Sequence, residues 1–180
     1  MHINNRKIAE KTLFLLTKKS LKSITINEAV SNSKKINVFK TKNDLLKNIN
    51  QYIDYLLKKK LSSIENSDTQ DMLLEVMMIR FDILEKYKKS IIRIFDYFKI
   101  HPQKIILLLP SILDSVILIT TAAGIKTKSL KGIIYLKAIF IVYFLAFMVW
   151  IRDDSISSEK TMTALDKYLN VTEKIINSLI

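Results

Sequence analysis

Few residues in this sequence have the type and spacing that catalysis or metal binding requires. There is no cysteine, which excludes disulfides, thiolate metal sites and thiol nucleophiles. His2 and His101 stand far apart, without the spacing that places two imidazoles on one face of a helix, so we expect no metal site. Asp153 and Asp154 are adjacent carboxylates, but neighbours on a helix point about 100° apart. We expect these two aspartates to end or cap a helix rather than to act on a substrate.

Signatures of nucleotide-binding and hydrolytic enzymes are also missing. The sequence has no glycine-rich phosphate loop, no nucleophile elbow and no dinucleotide-binding fingerprint. We therefore expect a protein that is not an enzyme and that uses no cofactor.

The most apolar stretch of the chain, residues 132–152, reads GIIYLKAIFIVYFLAFMVWIR. Lys137 is its only charge between residues 133 and 151, which predicts a helix that is apolar on every side and must be hidden. It could be hidden in a helical bundle, in a subunit interface or in a bilayer. A membrane span needs about 20 apolar residues, and this run barely reaches that length with a lysine inside it. We favour a buried or dimer-interface helix.

Two interpretations of the side chains in this helix stay open. Lys137 either reaches water from the first turn or provides a cation at the mouth of a lipid pocket. The aromatic residues either fill the core or line a cavity for an acyl or isoprenoid chain. They are Phe140, Tyr143, Phe144, Phe147 and Trp150.

Composition predicts the fold class. The 180 residues are enough for one domain with a proper core, and they include only two glycines and two prolines. Sandwiches, barrels and βαβ units need turn residues at every corner, so we expect a bundle of long helices. No signal or transit peptide is evident, and we expect a cytoplasmic protein.

The formal charge of +12 is concentrated at the amino-terminal end. Residues 1–60 contain 14 Lys and Arg against 4 Asp and Glu, and residues 61–180 contain 15 against 13. Such a segment attracts an anionic partner, such as DNA, a phospholipid surface or an acidic protein. Yet 25 of the 29 cations are lysine. A solvated, lysine-rich surface encoded by an AT-rich genome explains the positive charge equally well.

Helix signals divide the first 60 residues. Residues 5–20 have apolar positions at helical spacing, and Thr25 with Glu28 has the spacing of a capping box. A turn and a second short helix are predicted over residues 29–39. Thr41 to Asp44 then caps a longer helix. Two short helices between two longer ones fit a helix-turn-helix module.

These residues resemble the amino-terminal module of the TetR family. The matching residues are Ala29, Val30, Ser31, Phe39, Lys42, Leu45 and Leu46. Ala29 stands where that family has a glycine and Ile36 where it has a tyrosine, so the module looks eroded. The resemblance implies phosphate contacts from Lys34, Lys35, Lys40 and Lys42. The predicted reading helix contains no arginine for bidentate base recognition.

Beyond a polar loop at residues 62–68, further helices are predicted. Two of them cover residues 71–89 and 90–99. Pro110 should kink or restart the next helix, and Gly124 should end it. Ser157 or Ser158 is predicted to cap the last helix. The apolar stripe of this last helix comprises Met162, Leu165, Leu169, Ile176 and Leu179.

Residues 71–178 resemble, within TetR-like folds, the lipid-binding accessory protein of ubiquinone biosynthesis. The residues that carry the resemblance are Arg80, Ala123, Gly124, Ser129, Tyr135, Lys137, Asp153, Asp154, Ser155, Thr161, Leu165 and Asp166. It implies a homodimer that binds an isoprenoid or quinone-like lipid and presents it to a ubiquinone-pathway hydroxylase. The implied lipid-binding residues are Ile112, Val116, Lys137, Phe140, Tyr143, Phe144 and Phe147.

The sequence thus predicts an all-α, TetR-like bundle with a helix-turn-helix-like module at residues 1–60 and a lipid-binding and dimerisation domain at residues 68–180. Residues 131–152 and 157–180 are expected to supply the dimer faces. Mitochondrial members of the accessory family grip membranes through a further amphipathic helix, which we do not expect here, although peripheral contact with the inner face of the cell membrane stays open. The alternative function is a DNA-binding repressor controlled by an apolar ligand, and a small membrane protein ranks third.

Overall fold

The computed structural model describes residues 1–30, 39–62 and 68–179, and in these ranges it contains helices and no strand. The α-helices are α1 (Ile3–Lys18), α2 (Ile26–Val30), α3 (Lys42–Leu61), α4 (Thr69–Glu85), α5 (Lys88–Ile100), α6 (Leu109–Ala122), α7 (Leu130–Trp150) and α8 (Glu159–Leu179). Short 3-10 helices cover Leu21–Ser23, Pro102–Leu107 and Ile156–Ser158. The all-α prediction is confirmed. The second short helix predicted before residue 39 falls largely on residues 31–38, outside the described residues.

Side-chain caps begin α2 and α3, as the sequence predicts. The Glu28 N–H donates to Thr25 Oγ1 at 3.3 Å, and the Thr25 N–H donates back to Glu28 Oε2 at 2.9 Å. The same reciprocal pair joins Thr41 and Asp44 at 3.2 and 2.8 Å. Hydrogen bonds from Lys19 and Thr25 lower the pKa of Glu28 to about 2. Each pair satisfies donors that the first helical turn leaves open.

Proline and glycine mark the two ends of α6. Pro110 is its second residue, where a missing N–H costs nothing. Gly124 has a φ of +78°, the left-handed conformation that glycine adopts without strain. Its N–H donates to the Thr121 carbonyl at 3.1 Å, and the Ile125 N–H donates to the Thr120 carbonyl at 3.0 Å. This pattern is a Schellman motif, so the predicted C-cap is confirmed.

α8 begins at Glu159, directly after the serines predicted to cap it, but the capping side chain differs from the prediction. Ser157 and Ser158 have φ values of 59° and 55°, whereas an N-cap residue normally has extended backbone. The N–H of Thr161, in the first turn of α8, donates to Asp153 Oδ2 at 2.7 Å. The predicted serine cap is therefore wrong, and Asp153 caps α8 instead.

The chain divides into two compact units, each made of two segments. Unit 1 comprises residues 1–56 and 84–112, and unit 2 comprises residues 57–83 and 113–180. In unit 1, α1 packs against α2 and α5. One buried cluster there joins Ile8, Ala29, Val30, Phe39 and Leu45. The division predicted from the sequence, 1–60 and 68–180, stays a prediction, because units defined by contacts need not coincide with domains.

Unit 2 is built on the pairing of α7 with α8. One face of α7 is buried, and its residues recur at helical spacing. They are Gly132, Ile139, Val142, Tyr143, Ala146 and Trp150. Buried Leu165, Leu169 and Ile176 of α8 confirm most of the predicted stripe, but Met162 is exposed.

The opposite face of α7 is apolar and open. Phe144 is 48% exposed, so it does not fill the protomer core, which was one of the two interpretations of this side chain. It neighbours buried Tyr143 in sequence and points about 100° away from it. In the described part of the chain, α7 is the one helix long and apolar enough to cross a bilayer, with a mean hydropathy of 2.3. Length and composition alone are weak grounds for a span, since the core helix of a soluble bundle has both.

Candidate nucleic-acid and ligand sites

The lysines predicted to contact phosphates lie around the start of α3. Lys40 is exposed, and its N–H donates to Asp44 Oδ2 at 3.0 Å. Lys42 is the first residue of α3, and its Nζ donates to the Lys22 carbonyl. Lys34 and Lys35 lie outside the described residues. The structure therefore places the backbone of Lys22, which the sequence analysis did not select, beside Lys42 at this end of unit 1.

A polar network fixes α3 within unit 1. The Tyr52 hydroxyl donates to Glu10 Oε1 at 2.7 Å and lies 3.3 Å from the Tyr87 hydroxyl, which joins α3 to α1 and α5. Burial, together with the hydrogen bonds to Tyr87 and Glu10, raises the pKa of Tyr52. Asn48 Nδ2 donates to the Asn5 carbonyl at 2.8 Å, a second link between α3 and α1. The start of α3 is thus held in a defined position relative to α1.

The formal charge is concentrated in unit 1. Unit 1 contains 17 Lys and Arg against 6 Asp and Glu, whereas unit 2 contains 12 against 11. Nearly all of the net +12 therefore belongs to the unit that contains the helix-turn-helix-like module. Such a field attracts polyanions and speeds their encounter with the protein.

The predicted lipid-binding residues differ in burial, and the prediction that they bind a lipid stays a prediction. Ile112 is the last residue of the second segment of unit 1, and the other six lie in unit 2. Val116 and Tyr143 are buried, and Phe140 and Phe147 are half-buried. Lys137 and Phe144 are exposed, seven positions apart on the outer side of α7. The six residues of unit 2 are thus divided between its core and its surface.

Tyr143 belongs to a buried polar group centred on Arg80. Arg80 Nε donates to the Tyr143 hydroxyl at 2.9 Å, and its Nη2 donates to Ser115 Oγ at 3.1 Å. Arg80 is 1% exposed, and its guanidinium carbon lies 5.6 Å from the centre of the Tyr143 ring. Phe81 stacks on the same ring at 5.7 Å. This arrangement ties α4, α6 and α7 together inside unit 2.

The Asp153-Asp154-Ser155 segment makes a second polar anchor. Asp153 Oδ2 accepts from the Thr161 N–H at 2.7 Å and from Thr161 Oγ1 at 2.6 Å, and Oδ1 accepts from the Ser155 N–H at 3.0 Å. Burial alone would raise the pKa of the Asp153 carboxyl, but the hydrogen bonds from Ser155 and Thr161 outweigh it and lower that pKa. Asp154 is exposed and pairs with Lys160 at 2.6 Å. The two aspartates therefore act structurally, and the predicted capping role is confirmed for Asp153.

A cavity of about 260 Å³ opens in unit 2 beside the starts of α4 and α7 and the end of α8. Three aliphatic side chains line it together with hydroxyl groups, one amide and two carboxylates. The lining residues are Asp68, Thr69, Gln70, Leu73, Tyr135, Ile139, Leu169, Thr172 and Glu173. Sequence reasoning missed this cavity, because its residues come from three elements and share no spacing. In the described part of the chain, no group of three His, Cys, Asp or Glu side chains could hold a metal ion.

No family model matches the sequence, and no curated protein matches it. A solved structure does: the crystal structure of the TetR transcriptional regulator from Nitrosomonas europaea ATCC 19718 superposes with a TM-score of 0.73. The match covers 94% of this chain and 98% of that chain. The fold is TetR-like. At 17% identity, the likeness establishes the fold alone, and it confirms the TetR-like architecture that the amino-terminal residues predicted.

Proposed function

We propose that this protein is a DNA-binding transcriptional regulator with a TetR-like fold. The supporting observation is a likeness that spans nearly the whole chain to a protein described as a transcriptional regulator. The concentration of positive charge in unit 1 adds to it. A cytoplasmic regulator also agrees with the lack of enzyme motifs in the sequence. This ordering reverses the one that the sequence favoured.

DNA contacts in this proposal come from lysines at and before the start of α3. Lys40 and Lys42 would contact phosphates, together with Lys34 and Lys35 from the adjoining segment. Lysine is a point charge that binds phosphate without selecting a base. We therefore expect a large, salt-dependent electrostatic contribution to the affinity.

The proposed regulator acts as a homodimer through the outer sides of α7 and α8. Ile141, Phe144 and Leu145 of α7 are 41 to 57% exposed, and Val171 and Ile175 of α8 are 49 and 53% exposed. Contiguous exposed apolar side chains favour a protein interface. A two-fold dimer would present two copies of the basic module, so its site on DNA should be a palindrome.

The proposed effector binds in the unit 2 cavity. Leu73, Ile139 and Leu169 offer aliphatic contacts in its lining, and Asp68 and Glu173 offer carboxylates. A compact ligand with an apolar body and a polar or cationic end suits that lining. Ligand control would then act through α4 and α7, the helices that border the cavity.

A selection from fragments of the source genome tests the proposal. Fragments that the protein retains at about 150 mM salt are sequenced and footprinted. We expect one palindromic site to be enriched over the background. Retention of random fragments without any shared site would contradict the regulator and leave only unspecific attraction.

The second candidate is the lipid-binding accessory role in ubiquinone biosynthesis, in which an isoprenoid or quinone-like lipid is presented to a pathway hydroxylase. It is favoured by the half-buried aromatics Phe140 and Phe147 of α7, which a lipid chain could cover. Native mass spectrometry with lipid extraction tests it. Bound lipid that changes in Phe147→Ala, but not in Lys34→Ala with Lys35→Ala, would favour this role over the regulator.

A further inference from the structure

One end of unit 1 presents an apolar surface that the core does not use. The 3-10 helix Pro102–Leu107 contributes no buried side chain. Ile100, Ile106 and Leu107 are 74, 63 and 55% exposed, and Leu109 is 38% exposed. We call these four residues the apolar edge. An exposed aliphatic cluster of this kind is unusual on a surface that faces only water.

Lysines lie on both chain segments that meet at the apolar edge. Asn43 Nδ2 donates to the Leu107 carbonyl at 3.4 Å, which brings the start of α3 beside the edge. Lys40 and Lys42 stand at that end of α3, and Lys42 Nζ donates to the backbone carbonyl of Lys22. Lys99 and Lys104 come from the chain segment of the edge itself. We call these five residues the lysine collar, and all except Lys42 are exposed.

Few carboxylates oppose the lysine collar. Asp96 pairs with Lys99 at 2.8 Å. Asp44 is engaged by the N–H groups of Lys40 and Thr41 at the start of α3. Two acidic groups against five lysines leave this surface positive, in agreement with the excess of cations in unit 1.

We infer that the apolar edge and the lysine collar together form a docking surface for an anionic lipid bilayer. Aliphatic side chains that enter the boundary between headgroups and acyl chains, ringed by lysines that meet lipid phosphates, are the two features of peripheral membrane binding. A second copy of this chain fits less well, because a two-fold contact would bring two lysine collars together. Duplex DNA fits the lysines but leaves the aliphatic side chains in water.

This inference does not depend on the proposed regulator, although the two share Lys40 and Lys42. A bilayer and a DNA duplex would compete for those lysines. Membrane docking would then exclude DNA binding by the same module, which gives the cell a way to keep the protein off its operator.

Vesicle flotation with the full chain tests the inference. The probes are phosphatidylcholine vesicles and vesicles that also contain about 30 mol% phosphatidylglycerol, at about 150 mM salt. We expect binding to the anionic vesicles only. Ile106→Asn with Leu107→Asn should weaken that binding at least about tenfold, because two inserted aliphatic side chains are lost. Both side chains are mostly exposed, so the variant should melt with the wild type.

The matched control is Leu130→Asn with Ile156→Asn, which removes two side chains of unit 2 that are each 85% exposed. This control should bind vesicles as the wild type does. Equal binding by the apolar-edge variant and the wild type, or binding to neither vesicle, would overturn the inference. Loss of DNA retention in the apolar-edge variant without any vesicle binding by the wild type would also overturn it, and would assign the edge to the DNA interface.

Discussion

Two buried polar residues of unit 2 illustrate how a side chain can look functional in sequence and act structurally in the fold. Arg80 and Asp153 both belong to the set that resembles a lipid-binding family. In the structure Arg80 is held by Tyr143 and Ser115, and Asp153 is held by Ser155 and Thr161. A buried ionic group must be satisfied by such partners, which is sufficient reason for these residue types.

At the residue scale, Asp153→Asn should lower the free energy of unfolding by about 1–3 kcal/mol. The asparagine side chain has one oxygen that accepts and an NH2 group that cannot accept, so either Ser155 or Thr161 loses its acceptor. Asp154→Asn is the matched control, and since its ion pair with Lys160 is exposed it should change little. Urea denaturation of both variants measures the difference, and equal midpoints would contradict the capping role.

The same pair of variants predicts a pH dependence. The folded pKa of Asp153 lies below its ordinary value of 3.8, so its carboxylate stabilises the fold at pH values above about 4. Below that pH the Asp153 carboxylate is protonated in the unfolded chain before it is protonated in the folded one. Its contribution to the free energy of unfolding therefore declines as the pH falls further. The gap between wild type and Asp153→Asn should therefore narrow below about pH 4. A gap that widens there would refute the assignment.

Tyr143→Phe should lower the free energy of unfolding by about 1–2 kcal/mol. The ring still stacks on Phe81, but the hydroxyl that accepts from Arg80 Nε is gone. Tyr135→Phe on the same helix, where the ring is half-buried, is the control. Thermal melts that place Tyr143→Phe with the wild type would mean that Arg80 does not depend on this contact.

At the scale of elements, local signals proved reliable and long-range packing did not. The capping pair Thr25–Glu28 and the Schellman motif at Gly124 involve residues a few positions apart, so the sequence alone could place them. The capping side chain of α8 was missed, because the N–H of Thr161 donates to Asp153, a residue eight positions earlier in the chain. The sequence also could not show which face of α7 packs into the core, since a helix that is apolar on every side does not mark the side that is buried.

The candidate sites required three-dimensional information for the same reason. The partners of Arg80 lie 35 and 63 positions away in the chain. The cavity draws residues from α4, α7 and α8. Lys40 and Lys42 were accessible to sequence reasoning because the TetR-like motif is local, whereas Lys22 was not.

The two glycines should respond differently to alanine. At Gly124 a Cβ would meet nothing within 4 Å, so only the φ of +78° opposes it, at about 1 kcal/mol. At Gly132 a Cβ would lie 1.9 Å from the Lys126 carbonyl oxygen, so the backbone of the loop must move. We expect Gly132→Ala to lose roughly 3 kcal/mol, more than the helix propensity of alanine returns. Stabilisation by Gly132→Ala would show that the loop does not pack on α7.

At the scale of the whole molecule, the half-exposed outer side of α7 is the basis of the proposed dimer. Phe144→Asp should leave the protomer folded, because this side chain is 48% exposed, and should shift the protein from dimer to monomer. Ile3→Asp is the control, since Ile3 is 54% exposed in α1 and lies outside the proposed interface. Sedimentation velocity distinguishes the species. A Phe144→Asp protein that sediments as the wild type would place the dimer contact elsewhere.

The central claim is DNA binding through the lysines at the start of α3, and the salt dependence of affinity tests it most directly. Each phosphate contact contributes about 0.9 to the slope of log affinity against log salt. For a dimer, Lys40→Ala with Lys42→Ala should therefore reduce that slope by about 4 on the selected duplex, measured by fluorescence anisotropy. Lys126→Ala with Lys128→Ala, in the exposed loop before α7, should leave both slope and affinity unchanged. Equal slopes for the Lys40 and Lys42 variant and the wild type would contradict the claim.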